Sequence, residues 1–255
     1  VLFQSPNCFG VIEELKRFKK IKQNSKIKII GSLHPYEAIV NKFDDSLFDI
    51  ITFEGQSLGL NMFAGGAHLG ILACTQELRH LTPGRLIGEV YDIYGNPSLA
   101  LVFEDREQHV ARDRATSNIC SNQALNALKA GVFIDLLGYE GIKKIYDNCN
   151  IKAKSLKDAL IYINDLHAPY VGNIFNEFTI SFPSRDLLIE SFESLKGKGI
   201  ILGITSSIFN TLKDDEILIA VTETTSENDL EKIVREVCHS IKVEASDPIN
   251  VLNSS

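Results

Sequence analysis

The sequence of 255 residues has no apolar run long enough to cross a lipid bilayer, and no basic segment leads into an apolar stretch as in export signals. Its hydrophobic content of 44% and charged content of 23% are ordinary for a globular protein. We therefore expect a soluble protein with no membrane partner. A chain of this length can bury the core of one large or two modest domains.

A basic surface is missing as well. The formal net charge is −7, and neither a basic stripe nor an aromatic-interleaved basic patch offsets it. Such a charge disfavours attachment to nucleic acid or to an anionic membrane surface. Small molecules or other proteins are the expected partners.

The cysteines form no recognisable metal or disulfide framework. There are five of them, with no CxxC motif and no Cys/His pair at metal-ligand spacing beyond the adjacent Cys238-His239. They are Cys8, Cys74, Cys120, Cys149 and Cys238. We expect buried thiols in a reducing compartment, which favours the cytoplasm, and no metal site.

The first fifty residues carry the pattern of a β-α-β-α-β unit. Apolar runs predict strands over 2–4, 27–30 and 50–53, and helical spacing predicts helices over 10–23 and 36–43. This order implies a parallel sheet covered by helices, in which ligands bind beyond the carboxyl ends of the strands. The loops at those ends are residues 5–10, 31–35 and 54–59.

The middle of the chain predicts a turn, a hairpin and a helix. Gly65-Gly66 suggests a tight turn into a strand over 71–74, and strands over 85–91 and 99–103 flank the turn at 94–97. An alanine-rich stretch predicts a helix over 117–137 that is buried against several neighbours. Its start would face a cleft, where Thr116, Ser117 and Asn118 could cap the helix or help to bind an anion.

Beyond Gly138 the pattern changes to that of a small α+β unit. Helices are predicted over 140–149, 155–166, 184–196 and 226–241, and strands over 175–182, 200–204 and 216–221. We place the boundary so that residues 1–145 form the end of a large α/β domain and residues 146–255 form a small α+β domain.

Several segments resemble subunit 1 of the split glycine dehydrogenase (decarboxylating), the P protein of the glycine cleavage system. They are 106–128 (REQHVARDRATSNICSNQALNAL), 54–59 (EGQSLG), Pro83-Gly84-Arg85 and the opening Gln4-Ser5-Pro6-Asn7 with 9–13. The likeness continues to Gly138 and more faintly beyond. Because the chain starts in what looks like mid-domain, it resembles the C-terminal portion of a longer subunit.

This resemblance implies fold type I of the pyridoxal-phosphate (PLP) enzymes, here part of the large parallel or mixed-sheet domain plus a small C-terminal domain. It also implies glycine catabolism by a heterodimer. A PLP-bearing subunit 2 would decarboxylate glycine and pass the aminomethyl group to the lipoyl group of the carrier (H) protein. The present chain would supply the other wall of the cleft.

The positions of the lysines agree with a cofactor that is held by subunit 2 and not by this chain. In this fold a lysine holds PLP as a Schiff base, but no lysine lies between Lys42 and Lys129. Where subunit 2 resembles His-Lys-Thr, this chain has Gly55-Gln56-Ser57. Gln56 cannot form an imine, so the resemblance implies no covalently bound cofactor here. The alternative interpretation is that Gln56 has only a structural role, as a hydrogen-bonding residue at the end of a strand.

The candidate cleft or interface residues come from the resembling segments and from Gly65-Gly66. They are Glu54, Gln56, Gly65, Gly66, His109, Arg112, Thr116, Ser117, Asn118 and Gln123. The glycine pair allows either close backbone approach to a ligand or a bare turn. His109 and Arg112 either point inward, to orient a carboxylate or contact subunit 2, or belong to a solvated, charge-compensated helix face.

A second reading is a degenerate PLP-fold relative that acts only as a structural or regulatory module. The intact segments 54–59 and 106–123 favour the enzyme subunit instead. A nicotinamide enzyme is poorly supported, because neither Gly-x-Gly-x-x-Gly nor a Walker loop occurs.

Overall fold

A computed structural model describes residues 1–23, 26–41, 45–62, 65–82, 86–102, 107–115 and 123–254. A four-stranded sheet opens the chain, in the order β1 (Leu2–Ser5), β2 (Ile30–Leu33), β3 (Ile50–Glu54) and β4 (Gly70–Cys74). The first three strands are parallel, as predicted, and β4 runs antiparallel to β3. Helices α1 (Leu15–Gln23) and α2 (Pro35–Val40) provide the crossovers.

Two predicted boundaries in this sheet domain are wrong. The helix predicted over 10–23 begins only at Leu15, because the preceding residues form a turn in which the Asn7 side chain accepts hydrogen bonds from the Phe9 and Val11 N–H groups. The strand predicted over 27–30 lies three residues later. Ile29, just before β2, donates its N–H to the Asp49 carboxylate at 2.8 Å instead of to a neighbouring strand.

The predicted hairpin is confirmed. Strands β5 (Leu86–Tyr91) and β6 (Pro97–Val102) pair antiparallel, and β6 begins two residues earlier than expected. The Asp92 carboxylate holds the turn by accepting hydrogen bonds from the Tyr94 and Asn96 N–H groups at 2.8 and 2.9 Å. The short helix α3 (Gln108–Ala111) follows and continues into a 3-10 turn at Arg112–Arg114.

Helix α4 (Ala124–Tyr162) is interrupted at Gly138, which confirms the break predicted between the helices over 117–137 and 140–149, but it runs without a break through the gap predicted between residues 149 and 155. Its only non-helical residue is Gly138, at φ 59° and ψ −174°. The prediction of a first segment buried on several sides is wrong for this chain, since Leu125, Leu128 and Leu136 are 65%, 64% and 79% exposed. The apolar residues were recognised correctly, but their partners are not in the described part of the chain.

The C-terminal region is an α+β unit, as predicted. Its antiparallel sheet has the order β7 (Glu177–Ser181), β9 (Glu216–Ala220), β8 (Ile204–Thr205), and it packs with α5 (Arg185–Gly197), α6 (Glu227–Ile241) and α7 (Ser246–Asn253). The strand predicted over 200–204 is only two residues long, and α7 was not predicted. Ser184 and Ser226 cap α5 and α6 through their hydroxyl oxygens.

Helix α4 contributes to two of the three hydrophobic cores. Its middle packs with Tyr36, Leu58 and Phe175 in one core, and its C-terminal part packs with β7, β9 and α6 in another. The helix is continuous through residues 145 and 146, where the sequence analysis places a domain boundary. The hydrophobic contacts change between Cys149 and Ala153, and the division into two domains stays a prediction.

The cysteines only partly follow the expectation of buried thiols. Cys149 and Cys238 are buried, Cys74 is half-buried, and Cys8 is exposed because the turn at Asn7 carries it to the surface. Cys120 lies outside the described residues. In the described ranges, no helix is long and apolar enough to cross a membrane, and no His/Cys/Asp/Glu cluster could hold a metal ion.

Candidate functional site

A cavity of about 320 Å³ lies at the carboxyl ends of β1, β2 and β3. Parallel strands bring their ends to one edge of the sheet, so the loops predicted to line a ligand site meet there. The C-terminal unit closes the opposite side. The lining residues are Gln4, Ser5, Pro6, Ser32, Leu33, His34, Pro35, Glu54, Gln56, Ser57, Asn176 and Glu177.

The turn after β3 is held by hydrogen bonds that fix Gln56 and Ser57. The Tyr36 hydroxyl donates to the Ser57 carbonyl oxygen at 2.5 Å, and Gln56 Nε2 donates to the Ala67 carbonyl oxygen at 3.5 Å. The Gln56 amide lies over Gly66, where a Cβ atom would stand 2.1 Å from Nε2. The glycine thus admits the Gln56 side chain.

Glu54 stands at the rim of this cavity and is largely committed to the same turn. Its Oε1 accepts hydrogen bonds from the Gln56 and Leu69 N–H groups, both at 3.0 Å. Its Oε2 lies 3.4 Å from His68 Nδ1. Because the carboxylate is half-exposed and already has two backbone donors, it adds negative charge to the rim while it stabilises the loop.

His34 is a neutral, half-buried ring in this site. Burial lowers the pKa of His34 to about 4, so the imidazole carries no charge near neutral pH. Its Nδ1 accepts a hydrogen bond from the Tyr36 N–H at 3.2 Å, as the cap of α2. The proton of the neutral ring is therefore on Nε2, which makes that nitrogen a donor.

The second carboxylate of the cavity, Glu177, comes from the start of β7. Burial raises the pKa of Glu177 above the ordinary value for a glutamate, and its carboxylate has no hydrogen-bond donor among the described residues. None of the lining residues is a lysine or an arginine. The cavity therefore offers carboxylates and neutral polar groups to a ligand, and no cation.

A second cavity, of about 390 Å³, adjoins the first and shares His34, Gln56, Ser57 and Asn176 with it. Its walls are mainly apolar. The remaining lining residues are Tyr36, Gly59, Leu60, Met62, Phe133, Ile145, Cys149, Phe175, Thr222, Glu223 and Thr224. Burial raises the pKa of the Cys149 thiol to about 11 and that of the Tyr36 hydroxyl to about 12, so both stay protonated and unreactive near neutral pH.

These residues do not fit PLP. A Schiff base needs a lysine amine, and Gln56 stands on the turn where the resemblance places one. The phosphate of the cofactor needs positive charge or free N–H groups, but this site presents Glu54 and Glu177. The strand-end cleft of this chain is thus chemically different from a cofactor cleft.

The sequence-predicted residues divide into three groups. Glu54 and Gln56 line the cavity, and Gly65 and Gly66 have φ angles of +92° and +78° in the loop beside it. His109, Arg112 and Gln123 are exposed and line neither cavity. Thr116, Ser117 and Asn118 lie outside the described residues, and their role stays a prediction.

Sequence analysis missed three polar residues of the site: His34, Asn176 and Glu177. His34 could have been found, because it precedes Pro35 directly after a predicted strand, in a loop already identified as a ligand position. Asn176 and Glu177 reach the cavity only because the C-terminal unit packs against the sheet. No local pattern in the sequence signals that packing.

Comparisons with known proteins agree on one family. The pattern of the glycine cleavage system P-protein family matches residues 1–237. The probable glycine dehydrogenase (decarboxylating) subunit 1 of Dictyoglomus turgidum is 38% identical over 245 residues, which cover 95% of this chain and 54% of that protein. The protein of the same name from Bacillus subtilis is 36% identical over 241 residues, covering 93% and 52%. The chain spans about half the length of these curated relatives.

Solved structures show the same relationship. A glycine decarboxylase (P-protein) of the glycine cleavage system, in inhibitor-bound form, superposes with a TM-score of 0.82 at 27% identity, over 94% of this chain and 54% of that one. A NifS-like protein from Rickettsia africae superposes with a TM-score of 0.60 at 14% identity, over 95% and 62%. The second likeness concerns the fold alone.

Proposed function

The chain belongs to the glycine cleavage system P-protein family, and from that premise we propose that it is part of subunit 1 of a two-subunit glycine decarboxylase. Its α/β fold is fold type I of the PLP-dependent enzymes, as the resemblance implied. The purely structural relative considered from the sequence is not favoured, because the most similar proteins reported above are named as subunits of the enzyme.

The observation that carries the proposal is the chemistry of the strand-end cleft. Gln56 replaces the amine that would capture the cofactor aldehyde, and the lining residues include no cation for its phosphate. We therefore assign PLP to subunit 2. Decarboxylation of glycine needs the cofactor ring as an electron sink, and that chemistry would be supplied by the partner.

The role proposed for this chain is to form a wall of the shared active site and to stabilise the assembly. In the complete system the aminomethyl group left by glycine would pass to the lipoyl group of the H protein. The proposed setting is glycine catabolism in the cytoplasm. His109, Arg112 and Gln123 stay candidates for the contact with subunit 2, since their exposed positions leave them available to a partner.

An exposed apolar stripe on α4 supports a polypeptide partner. Leu125, Leu128, Val132 and Leu136 follow one another at helical spacing and are 65%, 64%, 48% and 79% exposed. Isolated exposed leucines are common, but a continuous stripe along four turns marks a contact surface. Subunit 2 and the remaining length of a full subunit 1 are the two polypeptides that could cover it.

The activity is tested by reconstitution. The full-length protein is mixed with subunit 2, PLP, glycine and lipoylated H protein, and exchange of carbon dioxide with the glycine carboxyl group is measured. We expect exchange only when both subunits are present. Equal exchange by subunit 2 alone, or an imine absorbance band on the present protein alone, would contradict the proposal.

A Gln56→Lys variant tests whether the cleft, and not only the missing amine, excludes the cofactor. We expect no imine band when this variant is mixed with PLP, because Glu54 and Glu177 remain and no cation is added for the phosphate. Subunit 2 serves as the positive control. Imine formation by the variant would show that the single lysine had been lost from an otherwise competent cofactor site.

The stripe is tested with Leu128→Glu, and Ile208→Glu is the matched control because Ile208 is 77% exposed in the C-terminal unit. We expect Leu128→Glu to leave the fold intact and to weaken association with subunit 2 by at least about tenfold in sedimentation experiments, since it places a charge in an apolar contact. An intact association but a lowered melting temperature of the full-length protein would instead indicate that its own remaining segment covers the stripe.

A further inference from the structure

Several polar groups of the strand-end cleft have no partner in the described part of the chain. The Glu177 carboxylate makes no hydrogen bond or ion pair there, and the buried Ser57 hydroxyl has no hydrogen-bond partner. His34 uses Nδ1 for the cap of α2, which leaves its Nε2–H without a described acceptor. A buried hydroxyl is normally satisfied, so the unpaired Ser57 oxygen indicates a bound molecule or ordered water, and the half-buried Glu177 and His34 side chains leave polar atoms available to the same molecule.

The charge of these groups limits the ligand to a cation or a neutral molecule. His34 is neutral near physiological pH, and the cavity wall includes two glutamates and no basic side chain. Carboxylate ligands and phosphates would be repelled by Glu54 and Glu177. A zwitterionic amino acid would bring its own carboxylate into the same field. An ammonium group, in contrast, would pair with the Glu177 carboxylate.

The adjoining cavity supplies an apolar compartment. Leu60, Phe133, Ile145 and Phe175 form its walls, and the two cavities meet at Gln56, Ser57 and Asn176. Phe175 is fixed by stacking on Tyr146, with ring centroids 4.5 Å apart. Small-molecule sites commonly combine such apolar walls with a few fixed polar groups.

We propose that the two cavities form one binding site for a small primary amine that carries an apolar group. The ammonium lies beside Glu177, and the apolar group lies against Phe133 and Phe175. The amine binds reversibly, because the lining residues offer no electrophile that an amine could attack. The lining residues named above all come from this chain, so the proposal does not rest on the proposed decarboxylase activity.

The test uses the full-length protein without subunit 2 and three probes that share a phenyl ring on a two-carbon chain. They are 2-phenylethylamine, 2-phenylethanol and 3-phenylpropanoate, and binding is measured by calorimetry and by ligand-observed NMR. We expect the amine to bind with a dissociation constant on the order of 1 mM or below, as befits a ligand of this size. The alcohol should bind at least about tenfold more weakly and the acid more weakly still.

Variants locate the site. Glu177→Gln should weaken binding of the amine by about tenfold to a hundredfold, the effect of removing a charge-assisted contact, while leaving the alcohol unchanged. The matched control is Glu190→Gln, on the exposed face of α5, which should bind the amine as the unchanged protein does. Circular dichroism checks that both variants are folded.

Three results would overturn the proposal. They are equal binding of amine and acid, amine binding that Glu177→Gln leaves intact, and no binding of the amine up to about ten times the expected dissociation constant. Because the probes are tested without subunit 2, failure here leaves the decarboxylase proposal standing. Failure of reconstitution likewise leaves this one standing.

Discussion

Glu37 is the most deeply buried carboxyl group of the sheet domain. It lies on α2 with 1% of its surface exposed, and the Ser5 hydroxyl donates to its Oε1 at 3.3 Å. Its Oε2 has no hydrogen-bond partner among the described residues. Burial raises the pKa of Glu37 to about 7, so the carboxyl group is protonated in mildly acidic solution.

Replacement of Glu37 by glutamine should remove one contribution to the pH dependence of folding. In the folded protein Glu37 keeps its proton up to a pH of about 7, whereas the unfolded chain loses it near the ordinary value of 4.5. Stability from this group therefore falls as pH rises between those values, by on the order of 3 kcal/mol in total.

The prediction is tested on the difference in unfolding free energy between Glu37→Gln and the unchanged protein. His34 has the opposite effect, since its lowered pKa makes the folded state bind fewer protons below about pH 6.5. The difference in unfolding free energy should grow in favour of Glu37→Gln from about pH 4.5 to about pH 7 and then stay constant. Urea titrations at several pH values measure it. A constant difference throughout would contradict the account.

At the residue scale, the sequence shows directly which chemistry a residue type excludes. It does not show how the surroundings of a residue change its properties. The lysine-free stretch and Gln56 were readable directly, because an amide cannot form an imine. The lowered pKa of His34 and the raised pKa of Glu177 depend on burial, which arises only when distant parts of the chain pack together. Glu177 was missed for that reason, whereas the position of His34, though not its pKa, was within reach of the sequence.

At the scale of elements, two of the three glycines in α4 have contrasting conformations. Gly131 lies in regular helix, whereas Gly138 has φ 59° and ψ −174°, a region that L-amino acids rarely adopt. A Cβ atom would meet no described atom within 4 Å at either position. The two positions therefore differ in backbone conformation and not in the space available for a side chain.

Alanine at these two positions should have opposite effects on stability. Gly131→Ala should stabilise the protein by about 0.5–1 kcal/mol, because alanine favours helix. Gly138→Ala should destabilise it by about 1–3 kcal/mol, because the kinked backbone must be strained or straightened. Chemical denaturation of both variants measures this. Stabilisation by both would mean that α4 is regular in solution.

Elements with strong periodicity were predicted best. The hairpin β5–β6, helices α5 and α6 and the parallel order of β1, β2 and β3 follow the sequence pattern closely. The errors fall where tertiary contacts decide. A turn at Asn7 delays the start of α1, the part of α4 after Gly138 runs through two predicted helices, and β8 keeps only Ile204 and Thr205 in the sheet.

At the scale of the whole molecule, the loop after β1 joins the sheet domain to the C-terminal unit. The Thr179 hydroxyl donates to the Phe9 carbonyl oxygen at 3.1 Å, and the Phe9 ring stacks on Tyr170 with centroids 3.9 Å apart. Gly10 sits against β7 at φ +86°, where a Cβ atom would lie 2.3 Å from the Glu177 carbonyl oxygen. Only a glycine allows this close approach.

Gly10→Ala should therefore cost more stability than Gly199→Ala. Both glycines have similar φ angles, +86° and +80°, but a Cβ on Gly199 would meet no described atom within 4 Å. We expect a loss of about 1–2 kcal/mol for Gly199→Ala from backbone strain, and at least about 3 kcal/mol for Gly10→Ala, which must also displace β7. Urea unfolding measures both, and equal losses would contradict a tight contact at Gly10.

The family and the fold were predictable for the whole molecule, because long segments of the sequence resemble the family and the comparisons confirm it. The exposure of the α4 stripe was not predictable. An apolar helical pattern indicates that a face is covered, but it does not indicate whether the same chain or another one covers it. The pattern over residues 117–137 correctly indicated an apolar helix, but the prediction that this helix is buried on several sides is wrong for this chain.

Helix α4 also limits how this molecule can move. From Ile142 to Leu160 it is a rod of about 28 Å whose side chains are embedded in one core at one end and in another core at the other end. A hinge between the two units would have to bend this rod or pull it out of a packed interior. Opening and closing of the cleft by a swinging C-terminal unit is therefore disfavoured, and ligands must enter through local movement of loops and side chains.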